Sequence, residues 1–172
     1  MNADILRAAA FAAQAHAGQT RKGSKQLPYI IHPIEVGQLL AKAGCPDTVI
    51  IAGLLHDVVE DAQVRFSDIA RDFGHDVADL VFQLTFEPGL DKATKIKKAK
   101  DLTTAAREIK TADLVSNMYG LVGQPDAMPL IDRRKYLHYA LEMRSVMGCV
   151  GFEVLDVAFD LAYYNLSKSL EI

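Results

Sequence analysis

Six consecutive residues, His56-Asp57-Val58-Val59-Glu60-Asp61, hold one imidazole and three carboxylates, and no Lys or Arg occurs from position 49 to 64. The apolar run Val49-Ile50-Ile51-Ala52-Gly53-Leu54-Leu55 leads into them. The pattern predicts one helix over 47–61, buried for most of its length and ending in an acidic turn. In such a helix residues four apart share a face, so His56 stacks with Glu60, and Asp57 with Asp61, as one polar stripe. Carboxylates at a helix C-terminus oppose the macrodipole. A bound cation neutralises such a cluster and removes the conflict. The plain alternative is a solvated helix end, and the apolar approach argues against it.

Two more positions offer matching donors. His32 precedes Pro33, which biases it away from the α region and holds it just before a helix start. Asp113 sits among apolar residues of a well-patterned segment, with Asn117 one turn further on. His32, His56, Asp57 and Asp113 together supply two imidazoles and two carboxylates. That mixture suits Mn²⁺, Fe²⁺ or Zn²⁺ better than Ca²⁺. Four protein ligands on a larger shell leave positions for water, which catalysis requires.

The elements that carry these residues read as helices. Ile5, Ala8, Ala9, Ala12 and Ala13 give residues 3–17 an apolar stripe that Gly18 ends. The linker 19–28, rich in basic residues and breakers, is a loop. A second helix runs from Pro33 to about Ala43, capped by Gly44. Ser67 is placed to cap a short helix over 68–73, which Gly74 stops. Val77, Leu80, Val81 and Leu84 mark another, and Glu87-Pro88-Gly89 is a turn. The lysine-dense stretch from Asp91 to Lys100 has few apolar residues and reads as a weakly held helix or mobile segment. Helices follow over about 104–122, 130–147 and 152–169. Period-two alternation is absent, so the expected fold is all-α with about eight helices in one domain spanning 1–172.

Composition bounds the function. The chain has 172 residues, 50% of them hydrophobic, and a formal net charge of −3. That balance argues against a general nucleic-acid binder, though a local basic patch can still meet an anionic small molecule. Cys45 and Cys149 have no metal-ligand or disulfide-framework spacing, which fits a reducing cytosol. No apolar run approaches the ~20 residues of a membrane span, and Met1-Asn2-Ala3-Asp4 lacks the layout of a signal peptide. A cytoplasmic protein is expected, and a homo-oligomer is compatible with the sequence.

The order His…His-Asp…Asp resembles HD-domain metal-dependent phosphohydrolases. Four segments narrow the resemblance: His16-Ala17-Gly18-Gln19-Thr20-Arg21-Lys22-Gly23, Pro28-Tyr29-Ile30-Ile31-His32-Pro33, Leu54-Leu55-His56-Asp57-Val58-Val59-Glu60-Asp61, and Lys110-Thr111-Ala112-Asp113 with Asn117. In this order they are similar to the hydrolase domain of RelA/SpoT enzymes, in a stand-alone form without synthetase or regulatory domains. The resemblance implies an HD-domain helical bundle. It also implies an Mn²⁺ ion on His32, His56, Asp57 and Asp113, and hydrolysis of the 3′-diphosphate of ppGpp or pppGpp to GDP or GTP and pyrophosphate. Glu60 and Asp61 would orient water and handle its proton as a coupled pair. Arg21 and Lys22 would clamp phosphate or stack on a base, and Asn117 would bond ribose or base. Tyr136 is a further candidate contact, on a poorer motif, with Arg134 beside it. His16 reads as a packed support, and His75 and His138 as surface residues. Leu114-Val115-Ser116 stands where relatives often carry a basic residue, so base preference is open between guanine and adenine. Another nucleotide substrate for the same metal site is the second reading.

Overall fold

The computed structural model describes residues 3–170. Met1, Asn2, Glu171 and Ile172 lie outside that range. The described chain is built from α-helices joined by loops, in the order α1 (Ala3–Ala15), α2 (Ile31–Ala43), α3 (Asp47–Leu55), α4 (Val58–Ala62), α5 (Phe66–Phe73), α6 (His75–Leu84), α7 (Lys92–Lys98), α8 (Thr104–Gly123), α9 (Leu130–Met147) and α10 (Glu153–Ser169). Among the described residues the one β feature is an isolated bridge, Thr20 to Pro28, that pinches the loop after α1. No described helix is long and apolar enough to cross a membrane.

α3 lies at the centre because it is apolar on every side. All residues from Val49 to Leu55 are buried, so no face of it tolerates water. α1, α2, α6 and α8 pack around it, and α10 closes the far side of α8. Gly53 makes the α2–α3 approach close, since a Cβ there would overlap Leu40. The long helix α8 crosses this core with Ala112, Leu114, Val115 and Met118 buried. Asp113 and Ser116 are buried with them, and α8 thereby carries polar groups to the centre of the molecule.

Three sequence expectations are corrected. The helix over 47–61 is broken: α3 ends at Leu55 and α4 restarts at Val58, with Asp57 at φ −101°, ψ −6° between them. The His56 ring accounts for the break. Its Nδ1 donates to the Gly53 carbonyl at 2.8 Å, a side-chain bond that competes for the helix's own acceptors. The continuous stripe of stacked pairs is therefore not formed. Glu60 and Asp61 stand in the first turn of α4, where the dipole favours carboxylates instead of opposing them.

His32 lies inside the first turn of α2, not before it, with its N–H on the Tyr29 carbonyl at 3.0 Å. Pro33 is tolerated there because the first four N–H groups of a helix have no intrahelical partner. Ser67 likewise lies within α5, which begins at Phe66 without a side-chain cap. The lysine-dense stretch forms α7, started by Asp91, whose carboxylate accepts from the Thr94 N–H at 2.7 Å.

Candidate active site

Helices α2 and α8 and the two-residue break between α3 and α4 bring His32, Asp113, His56 and Asp57 together. His32 Nε2 lies 3.5 Å from Asp57 Oδ2 and 3.2 Å from Asp113 Oδ1. His56 Nε2 lies 3.1 Å from Asp57 Oδ2 and 3.8 Å from Asp113 Oδ1. One donor atom each from His32, His56 and Asp113 falls within 4.8 Å of the others, and all three residues are buried. Two imidazole nitrogens and carboxylate oxygens at this spacing make a metal site possible.

The second nitrogen of each ring is occupied. His56 Nδ1 faces a carbonyl, which only accepts, so Nδ1 bears the proton and Nε2 points at the cluster. That Nε2 is buried and has no hydrogen-bond partner, the kind of orphan that a bound cation resolves. His32 Nδ1 lies 2.8 Å from Ser116 Oγ.

Without a cation His56 holds its proton tightly. Burial opposes charging of His56, but the Asp57 and Asp113 carboxylates outweigh it and push the imidazole up to about 9. Asp57 is held well below the usual carboxylate range: its burial is outweighed by the two imidazoles beside it, His56 first. Asp113 is lowered too, against its burial, first by the Lys110 ammonium and then by the two imidazoles. A ligating imidazole must be neutral, so metal binding and the His56 proton compete.

A ring of polar groups frames the cluster. Lys110, one turn before Asp113 on α8, sits 2.7 Å from Asp113 Oδ2. The Asn117 amide donates to Asp113 Oδ1 at 2.6 Å, and its own oxygen accepts from Arg21 Nη2 at 3.1 Å. The Tyr29 hydroxyl reaches Asp57 Oδ2 at 2.7 Å and Asp61 Oδ2 at 3.0 Å. His16 is buried beneath Tyr29, its ring 4.7 Å from the tyrosine ring, and it bonds Gln19 Oε1 at 2.8 Å. Arg21 can lie against α8 because position 120 is glycine. A Cβ on Gly120 would come within 2.7 Å of Arg21 Nη2.

Two adjoining cavities open on these groups. The smaller, about 190 Å³, is lined by the four cluster residues, Glu60, Lys95 and Lys110. The larger, about 620 Å³, is lined by Arg21, Lys22, Asp61, Gln124 and Tyr136 among others. Tyr29 and Asn117 line both. The larger volume falls within the ~300–1,000 Å³ typical of small-molecule sites.

The carboxylates expected to work as a pair thus face different cavities. Glu60 lies 3.8 Å from Lys95 Nζ, while Asp61 stands on the side of the larger cavity, beside Tyr29. Arg134 is not part of the site, since it donates to the Leu170 carbonyl. His138 is exposed and paired with Glu142, and His75 is exposed at the start of α6. Tyr29, Lys95 and Lys110 were not singled out from sequence as site residues. For Lys110 a signal existed: it lies three residues before Asp113 on one helix, and such pairs meet. Lys95 belongs to the stretch read as a weakly held helix or mobile segment, and α7 brings it to the cavity that the cluster lines.

The sequence profile of the HD domain matches residues 8–117. This chain belongs to the HD-domain family. The HD domain here is 37% identical over 123 residues to the guanosine-3′,5′-bis(diphosphate) 3′-pyrophosphohydrolase MESH1 of Xenopus tropicalis, covering 68% of this chain and 69% of that one. It is 34% identical over 146 residues to MESH1 of Drosophila melanogaster, covering 81% and 82%. Among solved structures it is similar to a metazoan orthologue of SpoT described as hydrolysing ppGpp. That likeness has a TM-score of 0.86 at 30% identity and covers 95% of this chain and 96% of that one.

Proposed function

We propose that this HD domain, read as one domain over 1–172, hydrolyses the 3′-diphosphate of guanosine alarmones, ppGpp or pppGpp, giving GDP or GTP and pyrophosphate. The observation that carries the reading is the convergence of two imidazoles and two carboxylates on a cavity that Lys95 and Lys110 also line, beside a second cavity of nucleoside size. The likeness to MESH1 supports it. We assign the divalent ion, Mn²⁺ first, to His32, His56, Asp57 and Asp113. When bound, such an ion supplies Lewis acidity, acidifying water and polarising phosphoryl oxygen.

The chain's own residues do the rest. Lys110 and Lys95 put two ammonium groups beside the cluster, Lys95 Nζ 5.2 Å from the Phe86 ring centre and Lys110 Nζ 5.9 Å from it. They neutralise the diphosphate as it enters and the pyrophosphate as it leaves. Glu60 opens on the same cavity and takes the proton of the attacking water. Asp61, tied to Asp57 through Tyr29, keeps that edge of the site oriented. The nucleoside occupies the larger cavity, with Arg21 and Lys22 on phosphate or base, Asn117 on the ribose side, and Tyr136 at the wall. Arg21, Asn117 and Asp113 form one hydrogen-bonded chain, so a nucleotide held at Arg21 is registered against the metal ligands. The unpaired cysteines, Cys45 and Cys149, suit action in the cytoplasm.

The test is product identification. Manganese-loaded protein is incubated with ppGpp, pppGpp and their adenosine counterparts. Pyrophosphate with GDP or GTP is the expected outcome. Guanosine substrates left intact while an adenosine alarmone is consumed would move the assignment to adenine, and no turnover of any would refute it.

A further inference from the structure

The two histidines of the cluster are oriented by different means. His56 rests on a backbone carbonyl, which accepts and cannot donate. His32 rests on a serine hydroxyl, which does both. A serine alone leaves the ring undecided. It can accept from Nδ1–H, which frees Nε2 for a metal, or donate to Nδ1, which puts the ring proton on Nε2 and blocks the metal.

The missing constraint is Glu35. Ser116 Oγ donates to Glu35 Oε2 at 2.6 Å and stands 2.8 Å from His32 Nδ1. The hydroxyl has one proton, and a carboxylate offers only acceptors. With that proton committed to Glu35, the serine turns a lone pair to His32. We propose that Glu35 is a positioning residue that acts through Ser116 to hold His32 with Nδ1 protonated and the Nε2 lone pair in the metal cluster.

The relay is built from two helices by single-turn spacing. Glu35 follows His32 by three residues on α2, and Ser116 follows Asp113 by three on α8. His32 is buried and Ser116 wholly so, leaving no competing water at the serine. The relay thus fixes a ring tautomer and also ties the helix of one ligand to the helix of another. The proposal rests on the metal-site reading above.

Zinc, which is diamagnetic, serves as the probe. Its dissociation constant is measured by chelator competition for the wild type, Ser116→Ala, Ser116→Thr, Glu35→Ala and Glu35→Gln. Outer partners of this kind are worth about 10- to 100-fold in metal affinity. Ser116→Ala and Glu35→Ala should lose affinity in that range. Ser116→Thr keeps the hydroxyl and Glu35→Gln keeps an accepting oxygen, so both should bind much as the wild type does. In the zinc-loaded wild type, ¹⁵N-edited NMR should show a His32 Nδ1–H protected from exchange, lost in Ser116→Ala. A merely structural role would not move that resonance selectively. Unchanged zinc affinity in both alanine variants, or no protected Nδ1–H in the wild type, overturns the proposal. A wild type that binds zinc but leaves ppGpp intact sinks the substrate reading and leaves this one standing.

Discussion

Lys110→Met separates what the lysine does for folding from what it does for a metal. Lys110 and Asp113 form an ion pair at 2.7 Å with side-chain exposures of only 15% and 8%, so solvent screens it little. Methionine keeps the length and apolar body of lysine and removes the charge. Asp113 then remains a buried carboxylate with the Asn117 amide at 2.6 Å and the His32 ring, but without its ammonium. Breaking one side of a buried pair costs about 3–5 kcal/mol, and the surviving amide bond argues for the lower end, about 3 kcal/mol. For a domain of this length each kcal/mol is worth about 2–4 °C. The metal-free variant should therefore melt about 6–12 °C below the wild type. A divalent ion takes over the charge that the ammonium supplied, and it no longer meets a cation beside its ligand. Metal should then close at least half of the gap and bind the variant more tightly. Thermal melts by circular dichroism in EDTA and in manganese read both quantities. Equal midpoints in EDTA, or a deficit that metal leaves untouched, would refute the reasoning.

Other outcomes follow from the same geometry. In the metal-free protein His56 is pushed up to about 9, from about 6.5 in an unfolded chain. A raised value means that its contribution to stability is full below about 6.5 and is lost as pH rises through about 9. Because ligation expels that proton, metal affinity should rise about tenfold per pH unit between ~7 and ~9 and then level off. Calorimetry in buffers of different ionisation heat should count one proton released per ion at neutral pH. Glu60→Gln should keep metal affinity and lower kcat by about 10²–10⁴-fold, the range of a general base; unchanged turnover would remove Glu60 from that role. Gly53→Ala forces a methyl into Leu40 and should cost about 1–3 kcal/mol by overpacking. Gly53 also supplies the carbonyl that orients His56, so metal affinity should fall with stability, as chemical denaturation and metal titration of the same samples will show.

Local pattern determined much of this protein. Helical periodicity set an all-α fold and most helix cores, Gly44 and Gly74 marked their ends, and residue type with motif order singled out His32, His56, Asp57 and Asp113. Those features depend on neighbours within a turn, which a sequence displays directly. What lay beyond it was decided by packing. The helix through His56 and Asp57 breaks because a ring bonds a carbonyl three residues back in a space bounded by α2, α6 and α8. Glu60 and Asp61 are parted between two cavities as a result. Lys95, in a stretch whose pattern marked only a weakly held helix, reaches the site because α7 packs beside the cluster's cavity. Tyr29 joins Asp57 to Asp61, and Glu35 reaches His32 only through a serine on a distant helix. Each of these hangs on the direction of a side chain across an interface between helices, and that direction is fixed only when the whole core is assembled.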